Sequence, residues 1–297
     1  MVIISFHFLS PREELRYVRR VALDRLLVRS VHHFKNLPSH RRAPISQIRN
    51  MAMQVEGKTA IITGAGSGIN LCFAKLLLSR GCNVVIADLS LRPEATELVS
   101  KYPLNSAGPK AVFQNTDVTE WAQLDKMFDV AVEHFGGADI VCPGAGVYEP
   151  VNMHSPMLTT LLKFMQPFSN FWVEPGVLPS KDRPSESRYS ILDINLTHPI
   201  RVTQLAIAHF LKRKTQGVVV HISSIAGQVP FFPTPMYVAT KHALSGFVRS
   251  LARLEYPPAH LSHLPKIRVN AVAPARIQTP LWTEHPEKMK LIGKDPT

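Results

Sequence analysis

No run of eighteen apolar residues occurs in the 297-residue chain, so a membrane-spanning helix is not expected. Cysteine is scarce. Cys72, Cys82 and Cys142 are odd in number, lack metal-ligand spacing and lie in apolar segments. They read as buried thiols in a reducing compartment and call for no metal. No internal repeat appears. Acidic residues are thin in one place: residues 1–50 hold nine Arg and one Lys against Glu13, Glu14 and Asp24. That leader carries +7 of the formal net charge of +12 and leaves +5 for the rest, an ordinary value for an enzyme. The basicity is local, and nucleic acid is not an expected partner. Affinity carried by the leader would fall steeply with salt and vanish on deleting residues 1–50.

What is present in residues 1–54 is an Arg-rich, acid-poor leader, expected to be disordered apart from a helical stretch from Pro11 to Phe34. Three origins fit it: upstream sequence added by a misplaced start codon, a mitochondrial transit peptide, or a basic docking arm. Met51 and Met53 stand just before V-E-G-K-T-A-I-I-T-G, where a compact domain would begin. The location follows from the choice: cytoplasm, or mitochondrial matrix if the leader is a transit peptide.

From residue 57 the pattern alternates. Strands are predicted at Lys58–Thr63, Asn83–Asp88, Ala111–Asn115, Asp139–Cys142, Val218–Ser223 and Ile267–Val272. Helices are predicted at Ile69–Arg80, Glu94–Ser100, Trp121–Phe135, Tyr189–Arg213 and Pro235–Glu255. The strands are short, apolar and rich in Val and Ile, as in a parallel sheet covered on both faces. The reading is a Rossmann-type, doubly wound α/β domain over residues 55–297.

The first predicted strand runs into T-G-A-G-S-G-I-N, Thr63 to Asn70. Gly64, Gly66 and Gly68 supply a turn whose backbone N–H groups can approach phosphate oxygens at a helix N-terminus. Asp88 ends the next strand, twenty residues past Gly68. That spacing suits hydrogen bonds to ribose hydroxyls, and its charge would repel a 2′-phosphate, so NAD is favoured over NADP. Further on, H-I-S-S-I-A-G is followed, with twelve residues between Ser224 and Tyr237, by Y-V-A-T-K. Tyr237 and Lys241 stand i and i+4, on one face of a helix. An ammonium there would lower the phenol pKa, letting Tyr237 act as general acid or base on an alcohol–carbonyl pair.

In this order the motifs resemble the classical short-chain dehydrogenase/reductase family, from about Val55 to Glu287, and most of all fungal members similar to 15-hydroxyprostaglandin dehydrogenase. The resemblance implies NAD-dependent interconversion of a secondary alcohol and a ketone. It implies that Ser224 polarises the substrate oxygen, Tyr237 transfers the proton, Lys241 holds the nicotinamide ribose, and Asn195 anchors a relay water. It implies cofactor contacts from Gly64, Ser67, Gly68, Ile69, Asp88, Leu89, Asp117, Val118, Ala145, Gly146, Ile277 and Thr279, besides Tyr237 and Lys241. A homodimer or homotetramer is expected by the same analogy.

Four departures from that pattern stand out. Asn70 replaces the third glycine, Pro143-Gly144 replaces an asparagine pair, and Ala275 replaces a glycine. The chain stops at Thr297, where the family adds a substrate-covering helix and a last strand. A catalytically inactive or incompletely folded remnant is therefore the alternative to an enzyme. The first two departures suggest a link, with Asn70 projecting into the space left at Pro143-Gly144 and taking over some lost hydrogen bonds. An insertion is expected across residues 151–190. Its first sixteen residues, Val151–Gln166, read either as a retained intron or as an amphipathic lid helix; Phe168–Ser187 reads as a loop at the site mouth.

Overall fold

A computed structural model of the chain describes residues 2–4, 54–148, 188–231, 234–275, 277 and 279–280. The proposed leader helix, the Val151–Gln166 segment and the Pro-rich loop after it lie outside the described residues.

Among the described residues, seven parallel strands form one sheet: β1 (Val2–Ile4), β2 (Thr59–Thr63), β3 (Asn83–Asp88), β4 (Ala111–Asn115), β5 (Ile140–Pro143), β6 (Gly217–Ile222) and β7 (Ile267–Pro274). Their order is β1-β7-β6-β5-β2-β3-β4. The chain winds outward from β2 through β3 to β4, then crosses back so that β5 lies against the other side of β2, with Ala60 opposite Ile140. This is the switch point beside which doubly wound sheets bind ligands, outside the carboxyl ends of the strands. Six of the strands come from the predicted alternation. The seventh is a β-branched Val-Ile-Ile run in the leader, which sets Val2 opposite Val272 on the free edge of β7. At residues 2–4 this pairing departs from the disorder expected of the leader.

The helices are α1 (Gly68–Leu78), α2 (Pro93–Lys101), α3 (Trp121–Phe135), α4 (His198–Arg213) and α5 (Pro235–Ser250). On one face of the sheet, Leu71, Ala74, Leu77 and Leu78 of α1 and Ala95 and Leu98 of α2 pack on Ala60, Ile62, Val84 and Ile86. On the other, Leu124, Met127 and Phe128 of α3, Val202 and Phe210 of α4 and Val248 of α5 pack on Ile61, Val85, Val141 and Val219. Alternate strand residues thus serve opposite cores, which is why the strands read as continuous apolar runs. Each such Leu or Ile, fully buried, contributes about 1.5–3 kcal/mol.

Three details differ from expectation. The helix predicted to Glu255 ends at Ser250 and tightens to a 3-10 turn at Ala252–Leu254, ahead of Pro257-Pro258. The helix predicted from Tyr189 opens as one turn, Ser190–Leu192, then widens to a π-helical segment at Asp193–Thr197 before α4. Cys82 and Cys142 are buried thiols whose pKa is pushed up to about 12 by burial, but Cys72 is exposed on the outer side of α1. Among the described residues, no helix is long and apolar enough to cross a membrane.

Candidate functional site

A cleft of about 920 Å³ opens along the carboxyl ends of the strands, across the switch point. Every cofactor-contact and catalytic position expected from the sequence lines it, with the exception of Asn195.

One end of the cleft is built from backbone. β2 ends at Thr63, and Gly64 turns the chain with φ +70°, a conformation that glycine adopts without strain. A Cβ on Gly64 would lie 2.7 Å from the Ala145 Cα, so the turn and the loop after β5 touch main chain to main chain. α1 then starts at Gly68 with no acidic residue in its first turn and no side-chain cap on its N-terminus, leaving its dipole open to an anion. Asp88 accepts the Gly66 N–H at Oδ2 (2.8 Å) and the Leu89 N–H at Oδ1 (2.7 Å), which ties the strand-end carboxylate to the turn. Asp117 folds its own loop by accepting the Thr119 N–H and hydroxyl at Oδ1, 2.9 and 2.8 Å, beside buried Val118. Ile277 and Thr279, following β7, close over the turn; a Cβ on Gly68 would lie 3.6 Å from the Thr279 Cβ.

The other end is built from side chains. Ser224 leaves β6 in extended conformation and caps the 3-10 turn Ile225–Gly227, its Oγ accepting the Ala226 N–H at 3.1 Å. It also hydrogen-bonds Tyr237 on α5. Lys241, one turn further along α5, is 6 % exposed, donates from Nζ to the Ile222 carbonyl at 2.8 Å and sits 5.5 Å from the Tyr237 ring centroid. Burial holds its pKa down to about 8. The Tyr237 phenol is pushed up by burial and drawn back by the Ser224 hydrogen bond. The direction is opposite to the lowering expected from the i, i+4 spacing: that spacing sets the shared helix face, and burial is the largest influence on the phenol.

Asn195 stands behind the cleft wall. In the π-helical segment its Nδ2 donates to the Val147 carbonyl and its Oδ1 accepts the Val147 N–H, both at 2.8 Å. The extra residue of a π turn is a common device for aiming a functional side chain. Sequence reasoning missed Tyr148, whose buried ring lies 4.7 Å from that of Tyr237 and whose hydroxyl pairs with Thr234 Oγ1 at 3.3 Å. An aromatic residue two positions after Gly146 was the available signal. It also missed Thr63 and His198, whose buried side chains meet at 3.1 Å across 135 residues of chain.

The Asn70 expectation divides. Asn70 is 7 % exposed and packs directly on Gly144, where any Cβ would collide with its carboxamide. It therefore occupies the space that the Pro143-Gly144 loop leaves open. Its Oδ1 has no hydrogen-bond partner, so it does not replace the lost bonds through that atom. The side chain fills shape, and other residues brace the loop.

Comparisons with known proteins agree with this architecture. The sequence profile of a family described as "short chain dehydrogenase" matches residues 58–168 and 174–290. The chain is similar to the 15-hydroxyprostaglandin dehydrogenase [NAD(+)] of Rattus norvegicus, 30% identical over 248 residues, covering 82% of this chain and 76% of that protein. It is similar to 3beta-hydroxysteroid dehydrogenase 1 of Eggerthella lenta, 30% identical over 230 residues, 77% of this chain and 74% of that one. Among solved structures it resembles a 3-ketoacyl-(acyl-carrier-protein) reductase from Brucella melitensis complexed with NADH. That match has a TM-score of 0.58 at 26% identity and covers 77% of this chain and 79% of the other.

Proposed function

The chain belongs to the short-chain dehydrogenase family, and from that premise we propose an NAD(H)-dependent oxidoreductase that interconverts a secondary alcohol and a ketone, with Tyr237 as general acid/base. The observation that carries this reading is the convergence of Ser224, Tyr237 and Lys241 on the cleft that also holds the glycine turn and Asp88. The residues present fit the cofactor. The uncapped N-terminus of α1 suits a pyrophosphate, and Asp88, though it accepts two backbone N–H groups, keeps lone pairs for ribose hydroxyls. NAD⁺, when bound, supplies the acceptor for the substrate hydride.

In this reading the chain's own groups divide the remaining work. Ser224 Oγ, fixed at the start of its 3-10 turn, orients the substrate oxygen. Tyr237 is buried in a way that favours its protonated form, the form that gives a proton to a ketone oxygen. In the oxidising direction the Lys241 ammonium, still protonated at neutral pH, is the charge nearest the phenolate. Tyr148, whose ring packs at a 55° tilt against that of Tyr237, screens that proton transfer from water.

Relatives named for a hydroxyprostaglandin and a 3β-hydroxysteroid support an apolar secondary alcohol as the substrate class. A homodimer or homotetramer belongs to the same proposal by family analogy, and the location follows the leader: cytoplasm, or mitochondrial matrix if residues 1–50 are a transit peptide. The test is a titration of NAD against NADP on the purified chain, coupled to NADH absorbance across a panel of secondary alcohols and ketones. Preference for NAD and turnover of at least one alcohol are expected. Nucleotide binding without any turnover would reject the chemistry, and failure to bind either nucleotide would reject the whole reading.

A further inference from the structure

The loop after β5, Gly144 to Tyr148, is the wall between the glycine turn and the catalytic end of the cleft. At Gly146 it approaches Lys241: a Cβ there would stand 3.9 Å from the Lys241 Nζ. Two side chains from elsewhere hold its backbone. Asn195 grips Val147, and Thr63 Oγ1 accepts the N–H groups of Gly144 (2.9 Å) and Ala145 (3.1 Å).

Thr63 can serve both N–H groups only if its own proton points elsewhere. His198 decides where. Its Nδ1 lies 3.0 Å from the Ile194 carbonyl, an acceptor only, so Nδ1 carries the hydrogen and Nε2 is a lone pair. Nε2 lies 3.1 Å from Thr63 Oγ1 and accepts its hydroxyl proton; the Cys142 carbonyl, at 3.5 Å, is the longer alternative. His198 is fully buried, and no part of the chemistry proposed above uses it. It lies three residues after Asn195, so one helical stretch holds both braces of the wall.

We propose that His198 is a positioning residue for the nicotinamide half of the cofactor site: by fixing the rotation of the Thr63 hydroxyl it sets where the Gly144–Ala145 backbone stands. The inference rests on the NAD(H) reading. At the adenosine end, Asp88 and Asp117 make none of the hydrogen bonds of this brace.

The test measures NADH and AMP affinity of the full chain by calorimetry, together with melting temperature. H198F, which keeps a planar ring but no acceptor, is expected to weaken NADH by roughly fivefold to tenfold, the scale of one net hydrogen bond. AMP affinity is expected to stay within about twofold. H198Q, whose amide can accept the same proton, stays near the parent. T63V reproduces the loss, and H198F/T63V is no weaker than T63V alone, because both remove one unit. H198L serves if phenylalanine prevents folding. Equal weakening of NADH and AMP, an additive double variant, or unchanged NADH affinity in H198F and H198L would each overturn the proposal. A parent chain that binds no NADH overturns it together with the NAD(H) reading, whereas a binding parent with an unmoved His198 variant overturns this inference alone.

Discussion

The two halves of the sheet are built from different materials. From β2 to β4 the interior is almost wholly aliphatic, and its buried polar side chains are Thr59, Thr63, Asn70 and Thr116, at strand ends and the glycine turn. Beyond β5 the buried set includes Asn195, His198, Thr203, His221, Ser223, Thr240, Lys241 and Ser245, joined in part by side-chain hydrogen bonds such as Thr203 to His221 and Ser223 to Ser245. The nucleotide half recognises with main chain and shape, which tolerate side-chain change wherever a Cβ has room. The chemical half depends on individual polar atoms in a low-dielectric interior, where an unpartnered group is costly.

The sharpest way to separate the halves is Y237F. It should lower kcat by roughly 10²- to 10⁴-fold, the range for a positioned general acid/base, while NADH affinity moves less than about twofold. A matching loss of NADH affinity would mean that the halves are not separable.

Acid should break the chemical half first. Burial, with the nearby Lys241 charge adding to it, holds the His198 pKa down to about 4 from 6.5, although the Ile194 carbonyl favours the charged ring. Burial, then His198 and Lys241, hold His221 to about 3. The unfolded chain takes up protons below about 6.5 that the folded chain refuses. Stability from these neutral rings is therefore complete above that pH and is lost as pH falls from about 6.5 towards 4. By pH 5 the loss is about 2 kcal/mol per histidine. Melting temperatures from pH 7 to 5 check this, and a variant with glutamine at both positions should flatten the curve.

Next in size is G144A, whose added methyl meets the Asn70 carboxamide. It should cost roughly 1–3 kcal/mol of stability, the usual range for overpacking, and N70G in the same chain should recover most of it. Denaturant titration of the four chains of that cycle gives the coupling directly. The smallest effect belongs to the nucleotide half: D88S should reduce discrimination of NAD over NADP by about tenfold, or ~1.4 kcal/mol. Paired KM measurements would show it, and unchanged discrimination would remove Asp88 from cofactor choice.

Which parts could be read from sequence follows the same division. Six of the seven strands were legible to within a residue or two because a parallel strand buried on both faces writes its position as a Val/Ile run; β1, at the sheet edge, was not. The glycine turn and Tyr237–Lys241 were legible because their spacing is local. The packing of Asn70 on Gly144 was legible because each residue departed from a pattern that otherwise ran intact. The Thr63–His198 contact was not, since a histidine inside a helix gives no sign of what it meets 135 residues away. Nor could spacing reveal that burial pushes the Tyr237 phenol up.

The position of β5 has a consequence in time. β2, β3 and β4 are contiguous in the sequence, so that half-sheet and its helices can assemble from one uninterrupted stretch of chain. β5 must then return past both to reach β2, and the loop after it gains its Asn195 and His198 braces only once the π-helical segment and the start of α4 have docked. Contacts so distant along the chain close slowly, because loop-closure entropy is spent before they form. During synthesis the nucleotide half can therefore be folded before the cleft has a second wall, and the last region to become native is the one where a single misplaced polar atom matters most.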